Sequence, residues 1–156
     1  MQDLSLHVLD IAENALRAGA RTVEVRIFDD ADADRLTLLI EDDGAGMDAT
    51  TVTMARDPFF STKDGKRTGL GLSLLSQAAE ATGGHVDIAS ATGRGTTVTA
   101  VFRPSHPDMK PLGDIVETFG ALLAANPEVH FVFDCRTGNK RLYFDTEQIT
   151  EEAHHD

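Results

Sequence analysis

The feature that most constrains the fold is a change of hydrophobic period that occurs twice within residues 1–103. Over "LSLHVLDIAENALRAGA" (Leu4 to Ala20), Val8, Leu9, Ile11, Ala12, Ala15 and Leu16 fall on one face of a helix with about 3.6 residues per turn, and Gly19 ends it. The period then drops to two. "TVEVRIF" sets Val23, Val25 and Ile27 against Glu24 and Arg26, which is a half-buried strand. "RLTLLIE" is a second, more apolar strand, and "DDADAD" (Asp29 to Asp34) is the hairpin-like connection between them. The same sequence of periods returns later. Leu70 to Thr82 is helical and stopped by Gly83-Gly84, and "HVDIAS" and "GTTVTAVF" are strands joined by the turn "ATGR". Helix, two strands, helix, two strands predicts an α/β (α+β) two-layer sandwich, a mixed sheet with helices on one face.

The remaining chain has a different organisation. Pro104, Pro107 and Pro111 mark a linker over 104–110. Beyond it Leu112, Ile115, Val116, Phe119, Leu122 and Leu123 trace one helical face, stopped by Asn126-Pro127. "VHFVFDC" and "RLYFD" flank "TGNK" as a hairpin. A helix and a hairpin cannot bury such a stripe by themselves. The extension over 111–147 is therefore expected to dock on the main domain, 1–103, or on a partner. Residues 148–156 form an acidic tail.

Composition narrows the function classes. A net charge of −12 on 156 residues argues against a nucleic-acid surface, which needs clustered Lys and Arg. One cysteine, Cys135, excludes an internal disulfide and fits a reducing compartment. No apolar run is long enough to span a membrane and no basic-then-apolar leader opens the chain, so no membrane association and a cytoplasmic location are expected.

Three short stretches carry chemistry. "TGLGLS" sets Gly69 and Gly71 at the start of a helix. Unpaired N–H groups and the helix dipole favour an anion there, and a missing Cβ lets a phosphate approach; a tight turn that packs the helix closely would read the same way. "IEDDGAGMD" ends an apolar strand in Asp42. A carboxylate there is costly unless paired or bound, and it could accept from an exocyclic amine; Asp-Gly is equally a strand-ending turn. On the first helix His7, Asp10, Asn14 and Arg17 share the edge opposite the apolar stripe. An Asn oxygen is a hard ligand suited to Mg²⁺, while a solvated polar face would look alike.

Taken in order, these stretches resemble the ATP-binding domain shared by sensor histidine kinases, DNA gyrase B, Hsp90 and MutL. "LDIAENALRAGA" resembles the Asn-bearing first motif, with a MutL-like "RAGA" ending, and "DDGAGM" resembles the adenine motif. "DPFFSTK" is similar to the phenylalanine motif of sensor kinases, "TGLGLS" to the second glycine motif, and "GRGTTVTAVF" to the closing strand. The resemblance covers residues 1–103 and favours the phosphate cradle. It implies ATP and Mg²⁺ as cofactors, with Asn14 as the metal ligand and Arg17 near the phosphates. It places Asp42 on adenine, with Gly44, Gly46, Met47 and Thr96 shaping the pocket. Thr62 and Lys63 are implied near the terminal phosphate, and Thr68, Gly69, Leu70, Gly71 and Leu72 as backbone donors.

Two departures bear on activity. Arg67 stands where the family's glycine motif usually opens with Gly, and the segment between Phe60 and Gly69 is short for a lid. Four residues before the metal Asn, related ATPases carry a Glu base and typical sensor kinases an Asn; here Asp10 stands, a candidate catalytic carboxylate one methylene shorter. On this resemblance the ATP domain is expected to begin at residue 1, without dimerisation helices bearing a phospho-accepting His before it. His7 lies inside the first helix and is not read as that acceptor. A stand-alone, kinase-like regulator acting on a partner protein or phosphoacceptor in trans is expected, with a second copy of the chain as a further candidate partner. An ATP-hydrolysing switch and an ATP-binding module without turnover are the alternatives.

Overall fold

The computed structural model describes residues 3–56 and 70–147. The elements in chain order are α1 (Leu4–Arg17), β1 (Thr22–Asp30), β2 (Arg35–Asp42), α2 (Ala49–Arg56), α3 (Leu70–Ala81), β3 (His85–Ser90), β4 (Thr96–Phe102), α4 (Ile115–Ala125), β5 (His130–Thr137) and β6 (Lys140–Asp145). Six strands form one sheet in the order β3-β4-β2-β1-β5-β6. The β1–β5 pair is parallel and the other neighbours are antiparallel, so the sheet is mixed, as the alternating periods predicted.

Period-two patterning sets which side chains meet the helices. Leu36, Leu38 and Ile40 on β2 and Val23, Val25 and Ile27 on β1 are buried at 5% exposure or less. They face Val8, Ile11, Ala12 and Ala15 of α1 and Leu72, Leu75 and Ala79 of α3 in one continuous core. Asp42 belongs to the same even-numbered set of β2 as Leu38 and Ile40. It therefore points to the helix side, where it pairs in register with Val23 on β1 and Thr96 on β4.

The extension continues both layers. β5 lies beside β1 with Val25 opposite Phe133 and Ile27 opposite Cys135. α4 adds Ile115, Phe119 and Leu122 to the core, and the Phe119 ring stacks on Phe133 with centroids 3.9 Å apart. Between β4 and α4 the chain is pinned at both ends. The Asp34 carboxylate in the β1–β2 turn accepts from the backbone N–H (3.0 Å) and hydroxyl (2.5 Å) of Ser105. Further on, the carbonyls of Pro111 and Leu112 accept from the backbone N–H groups of Leu4 (3.0 Å) and Ser5 (2.9 Å). Those are donors that the first turn of a helix otherwise leaves unpaired. Asp3 completes the cap, accepting from the Leu6 amide at 3.1 Å.

One expectation for α1 is corrected. His7 is only 3% exposed and lies with Ser5 among buried groups, rather than on an edge opposite the buried stripe. α1 packs against α3 and α4 as well as the sheet, so burial runs round more of the helix than its apolar stripe.

Candidate functional site

A cavity of about 480 Å³ opens between α1, the end of β2, α2, α3 and β4. Its walls are apolar: Ile11, Ala15, Met47, Met54, Ala55, Leu72 and Val98. Its polar groups are few and come from separate elements, namely Asn14 and Arg17 from α1, Asp42 from β2, Thr51 from α2 and Thr96 from β4. A largely apolar slot with a small set of polar groups is the usual form of a small-molecule site.

Two neighbouring acids at the end of β2 have opposite environments. Burial holds the Asp42 carboxyl above its ordinary range, although the backbone amides of Gly44 and Thr96 donate to it and pull the other way. The Gly44 N–H lies 2.8 Å from Asp42 Oδ1. Asp43 points away. Its Oδ1 accepts from the backbone N–H groups of Thr22 (3.0 Å) and Arg21 (2.7 Å), and these bonds hold its pKa below the ordinary value. Asp43 thus ties the turn to the start of β1, and Asp42 is the acid that faces the cavity.

The glycines of "DDGAGM" fit tight surroundings, and at Gly46 the backbone itself requires one. A Cβ on Gly44 would sit 3.0 Å from Asp42 Oδ1 and 3.1 Å from the Cβ of Ala18. Gly46 has φ +73°, and a Cβ there would run into the carbonyl of Ala91. The loop is further fixed by Ala45, whose N–H donates to the Ala18 carbonyl at 2.9 Å and whose carbonyl accepts from Gly93 at 2.6 Å. Met47 is held by its N–H donating to Ser90 Oγ at 2.8 Å. Ser90 donates in turn to the Gly95 carbonyl at 2.9 Å, which leaves the Thr96 hydroxyl, 2.8 Å away, to donate to Ser90. This network orders the wall carrying Met47 and Thr96.

At the other end α3 begins against α1. A Cβ on Gly71 would lie 3.3 Å from Asp10 Cβ and 3.5 Å from Asn14 Nδ2. Glycine here lets the start of α3 sit directly beside both side chains. Asn14 Oδ1 accepts from Arg17 Nη1 at 3.3 Å, and Arg17 also reaches Glu13 at 3.7 Å; both contacts are solvent-exposed.

Of the residues expected at the site, Asn14, Arg17, Asp42, Gly46, Met47, Leu72 and Thr96 line the cavity together. Gly44 and Gly71 support it through close packing, and Leu70 opens α3. Asp10 is partly buried beside Gly71 and is not among the described lining residues. Thr62, Lys63, Thr68 and Gly69 lie outside the described residues. Sequence reasoning missed Thr51, Met54 and Ala55 of α2, and Ser90. The wall residues Ile11 and Ala15 had a signal, since they flank Asn14 on the same helix. Ser90 had none, because its partners are remote in sequence. Among the described residues no group of three His, Cys, Asp or Glu could hold a metal ion, and no helix is long and apolar enough to cross a membrane.

Residues 2–106 match the family of histidine kinase-, DNA gyrase B- and HSP90-like ATPases, and the chain belongs to it. Its relatives include a putative sensor protein of Shewanella frigidimarina, 30% identical over 109 residues, covering 69% of this chain and 17% of the relative. The sensor protein kinase FleS of Pseudomonas aeruginosa is 38% identical over 94 residues, covering 60% of this chain and 23% of FleS. AtoS of Escherichia coli, a signal transduction histidine-protein kinase, is 35% identical over 102 residues, covering 64% of this chain and 16% of AtoS. The chain therefore spans less than a quarter of the length of each of these three, at 17, 23 and 16%. Among solved structures, the Aquifex aeolicus MutL ATPase domain complexed with ADP shares the fold. It has a TM-score of 0.58 and 18% identity, and covers 99% of this chain and 70% of that one.

Proposed function

We propose that the cavity binds ATP with Mg²⁺ and that the protein transfers the γ-phosphate to a partner protein, as a kinase-like regulator in signal transduction. The observation that carries this reading is the half-buried Asp42 carboxylate set into an otherwise apolar slot. A flat, apolar base fits between Ile11, Met47 and Val98, and its exocyclic amine can donate to a carboxylate that burial has left short of partners. The arrangement selects adenine over guanine, whose carbonyl at the same place would oppose acceptor to acceptor.

The residues present also fit Mg²⁺. Asn14 offers a hard amide oxygen at the cavity edge, and Mg²⁺ commonly takes one or two protein ligands with phosphate oxygens and water supplying the rest. When bound, the ion would offset phosphate charge. The chain's own contributions are Arg17 as a nearby cation and the start of α3 as a source of backbone donors. Asp10, whose Cβ lies close to Gly71, is the candidate to accept a proton from an attacking hydroxyl. The kinase reading is supported by relatives that are sensor kinases. His7 is only 3% exposed, which favours a phosphoacceptor supplied by another protein over this side chain.

The test has two stages. Calorimetry with ATP and GTP, with and without Mg²⁺, should show adenine-selective, Mg²⁺-dependent binding; equal affinity for GTP would sink the role of Asp42. Incubation of γ-labelled ATP with host lysate should then label a protein band, absent with Asp42→Ala. Release of free phosphate without a labelled band would select the ATP-hydrolysing switch instead, and binding with neither product would select the ATP-binding module.

A further inference from the structure

We propose that Ser90 is a positioning residue that sets the specificity of the cavity. By accepting the hydrogen bond of the Thr96 hydroxyl, it leaves Thr96, like Asp42, able only to accept, so the ligand must bring an amine. This inference rests on the reading of the cavity as the nucleotide site, and it adds a residue that is not among the lining residues.

Ser90, Thr96 and Asp42 stand in one row across three strands. Thr96 on β4 is opposite Ser90 on β3 and opposite Asp42 on β2. Each shares the parity of a buried residue of its own strand, Val86, Val98 and Ile40, and so points to the helix side. A hydroxyl has one hydrogen to donate and two lone pairs to accept with. Ser90 uses all three. Its lone pairs take the Met47 N–H and the Thr96 hydroxyl, each at 2.8 Å, and its hydrogen goes to the Gly95 carbonyl at 2.9 Å, which can only accept. Reversing the Ser90–Thr96 bond would take that donor from the Gly95 carbonyl and leave one Ser90 lone pair unused. The network is complete in one direction only.

The consequence reaches the cavity. Thr96 and Asp42 are cross-strand neighbours on one face, a relation that sets Cβ atoms ~4.5–5.5 Å apart. An ionised Asp42 only accepts, and so does Thr96 once its hydrogen is engaged. Thr51 directs its own hydroxyl to the Asp48 carboxylate. Among the described polar lining side chains, the N–H donors are therefore Asn14 and Arg17, both on α1. A ligand –NH₂ has two N–H groups and can serve both acceptors, whereas a carbonyl serves neither. Hypoxanthine carries a carbonyl where adenine carries that amine. Without the Ser90 hydroxyl, Thr96 can turn its hydrogen into the cavity and donate to such a carbonyl, while the N1–H of hypoxanthine meets Asp42.

The test is calorimetry of the full chain with ATP and with inosine triphosphate, both with Mg²⁺, at a mildly alkaline pH that keeps Asp42 ionised. The wild type should prefer ATP by ~5- to 150-fold, the effect of one unpaired buried group. Ser90→Ala should cut that preference ~5-fold or more, chiefly by binding inosine triphosphate more tightly. Ser90→Thr, which keeps the hydroxyl, should retain it. A merely structural loss at Ser90 weakens both nucleotides alike and does not move their ratio. In a Thr96→Val background there is no hydroxyl to orient, so Ser90→Ala should no longer change the ratio. If melting curves show that Ser90→Ala does not fold, Ser90→Cys carries the test, since a thiol is a weak donor and a weak acceptor and should move the ratio the same way. A wild type that binds both nucleotides equally, a ratio unmoved by the Ser90 substitution, or one moved equally in the Thr96→Val background would overturn the role of Ser90 and leave the nucleotide site standing. A wild type that binds neither nucleotide would overturn the site and this inference with it.

Discussion

Replacing Asp42 by Asn changes few atoms, and if Asp42 receives the adenine amine as proposed, the change should weaken ATP binding measurably. The carboxylate accepts from Gly44 N–H at 2.8 Å and from the Thr96 amide, and it still has lone pairs to offer a ligand. An amide has one acceptor oxygen. If that oxygen keeps Gly44, the –NH₂ faces the adenine amine, donor to donor; if the amide flips, the –NH₂ faces the Gly44 N–H. Either way one buried donor is left unpaired, at ~1–3 kcal/mol. That is a loss of ~5- to 150-fold in ATP affinity. The fold should not suffer, because the substitution removes a charge that burial disfavours. Calorimetry should therefore show weakened ATP binding. Melting curves should show an unliganded Asp42→Asn protein as stable as the wild type, or more so, that gains little when ATP is added.

The pH dependence carries the same signature. The folded-state pKa of Asp42 is raised above the ordinary value, chiefly by burial. The ionised group therefore destabilises the fold above its folded pKa, and that cost disappears as pH falls below the unfolded value. ATP affinity should move the other way, falling as pH drops into the raised range, because a protonated carboxyl presents a donor. Both trends should vanish in Asp42→Asn. Wild-type ATP affinity in Asp42→Asn would refute the assignment, whatever its stability.

Further outcomes can be checked directly. Gly46→Ala should lower the melting temperature by several degrees, since φ +73° disfavours a Cβ by ~1–2 kcal/mol and the Ala91 carbonyl occupies its place. Asn14→Ala should weaken Mg²⁺-dependent ATP affinity and turnover together. Asp10→Asn should leave affinity near wild type and cut turnover ~10²–10⁴-fold; full turnover in Asp10→Asn would make Asp10 a structural neighbour of Gly71 only. Ending the chain after Pro104 should give an aggregating protein by light scattering, because it uncaps α1, bares the β1 edge and removes Phe119, Phe131 and Phe133 from the core.

Much of this was legible because local period reports which side of an element is buried. The alternation in "TVEVRIF" and the 3.6-residue stripe of α1 led directly to the two layers. The extension was legible as a helix and a hairpin, but its seat was not. β5 pairs in parallel with β1, more than a hundred residues earlier in the chain, as in Val25 opposite Phe133. Nothing local encodes such a partner, and the apolar runs in "VHFVFDC" would suit any buried strand. The capping of Leu4 and Ser5 by Pro111 and Leu112 is non-local in the same way, since a carbonyl carries no side-chain signature. His7 misled because a titratable side chain beside Asp10 and Asn14 looks like part of a polar face. Packing by a second and a third helix is a property of the assembled core.

The pair Asp42-Asp43 shows how much chemistry one residue of strand parity decides. The two side chains are identical and adjacent, and sequence context separates them only through alternation. Leu38 and Ile40 face the core, so Asp42 follows them toward the helices, and its pKa rises as water is excluded. Asp43 falls past the last ladder position and turns to the backbone amides of Arg21 and Thr22, which hold it ionised. A slip of one residue in the β2 register would exchange these environments. It would place a charge-stabilised turn acid in the cavity and leave the cavity-facing carboxylate on the open side. The register is held against that slip by the apolar side chains that bury on one face only, and by Gly95. Its φ of +80° and missing Cβ let the β3–β4 turn lie against the Asp42 carbonyl. The placing of a half-buried carboxylate in the cavity thus rests on the same alternation that builds the core, together with one glycine in a turn about fifty residues away.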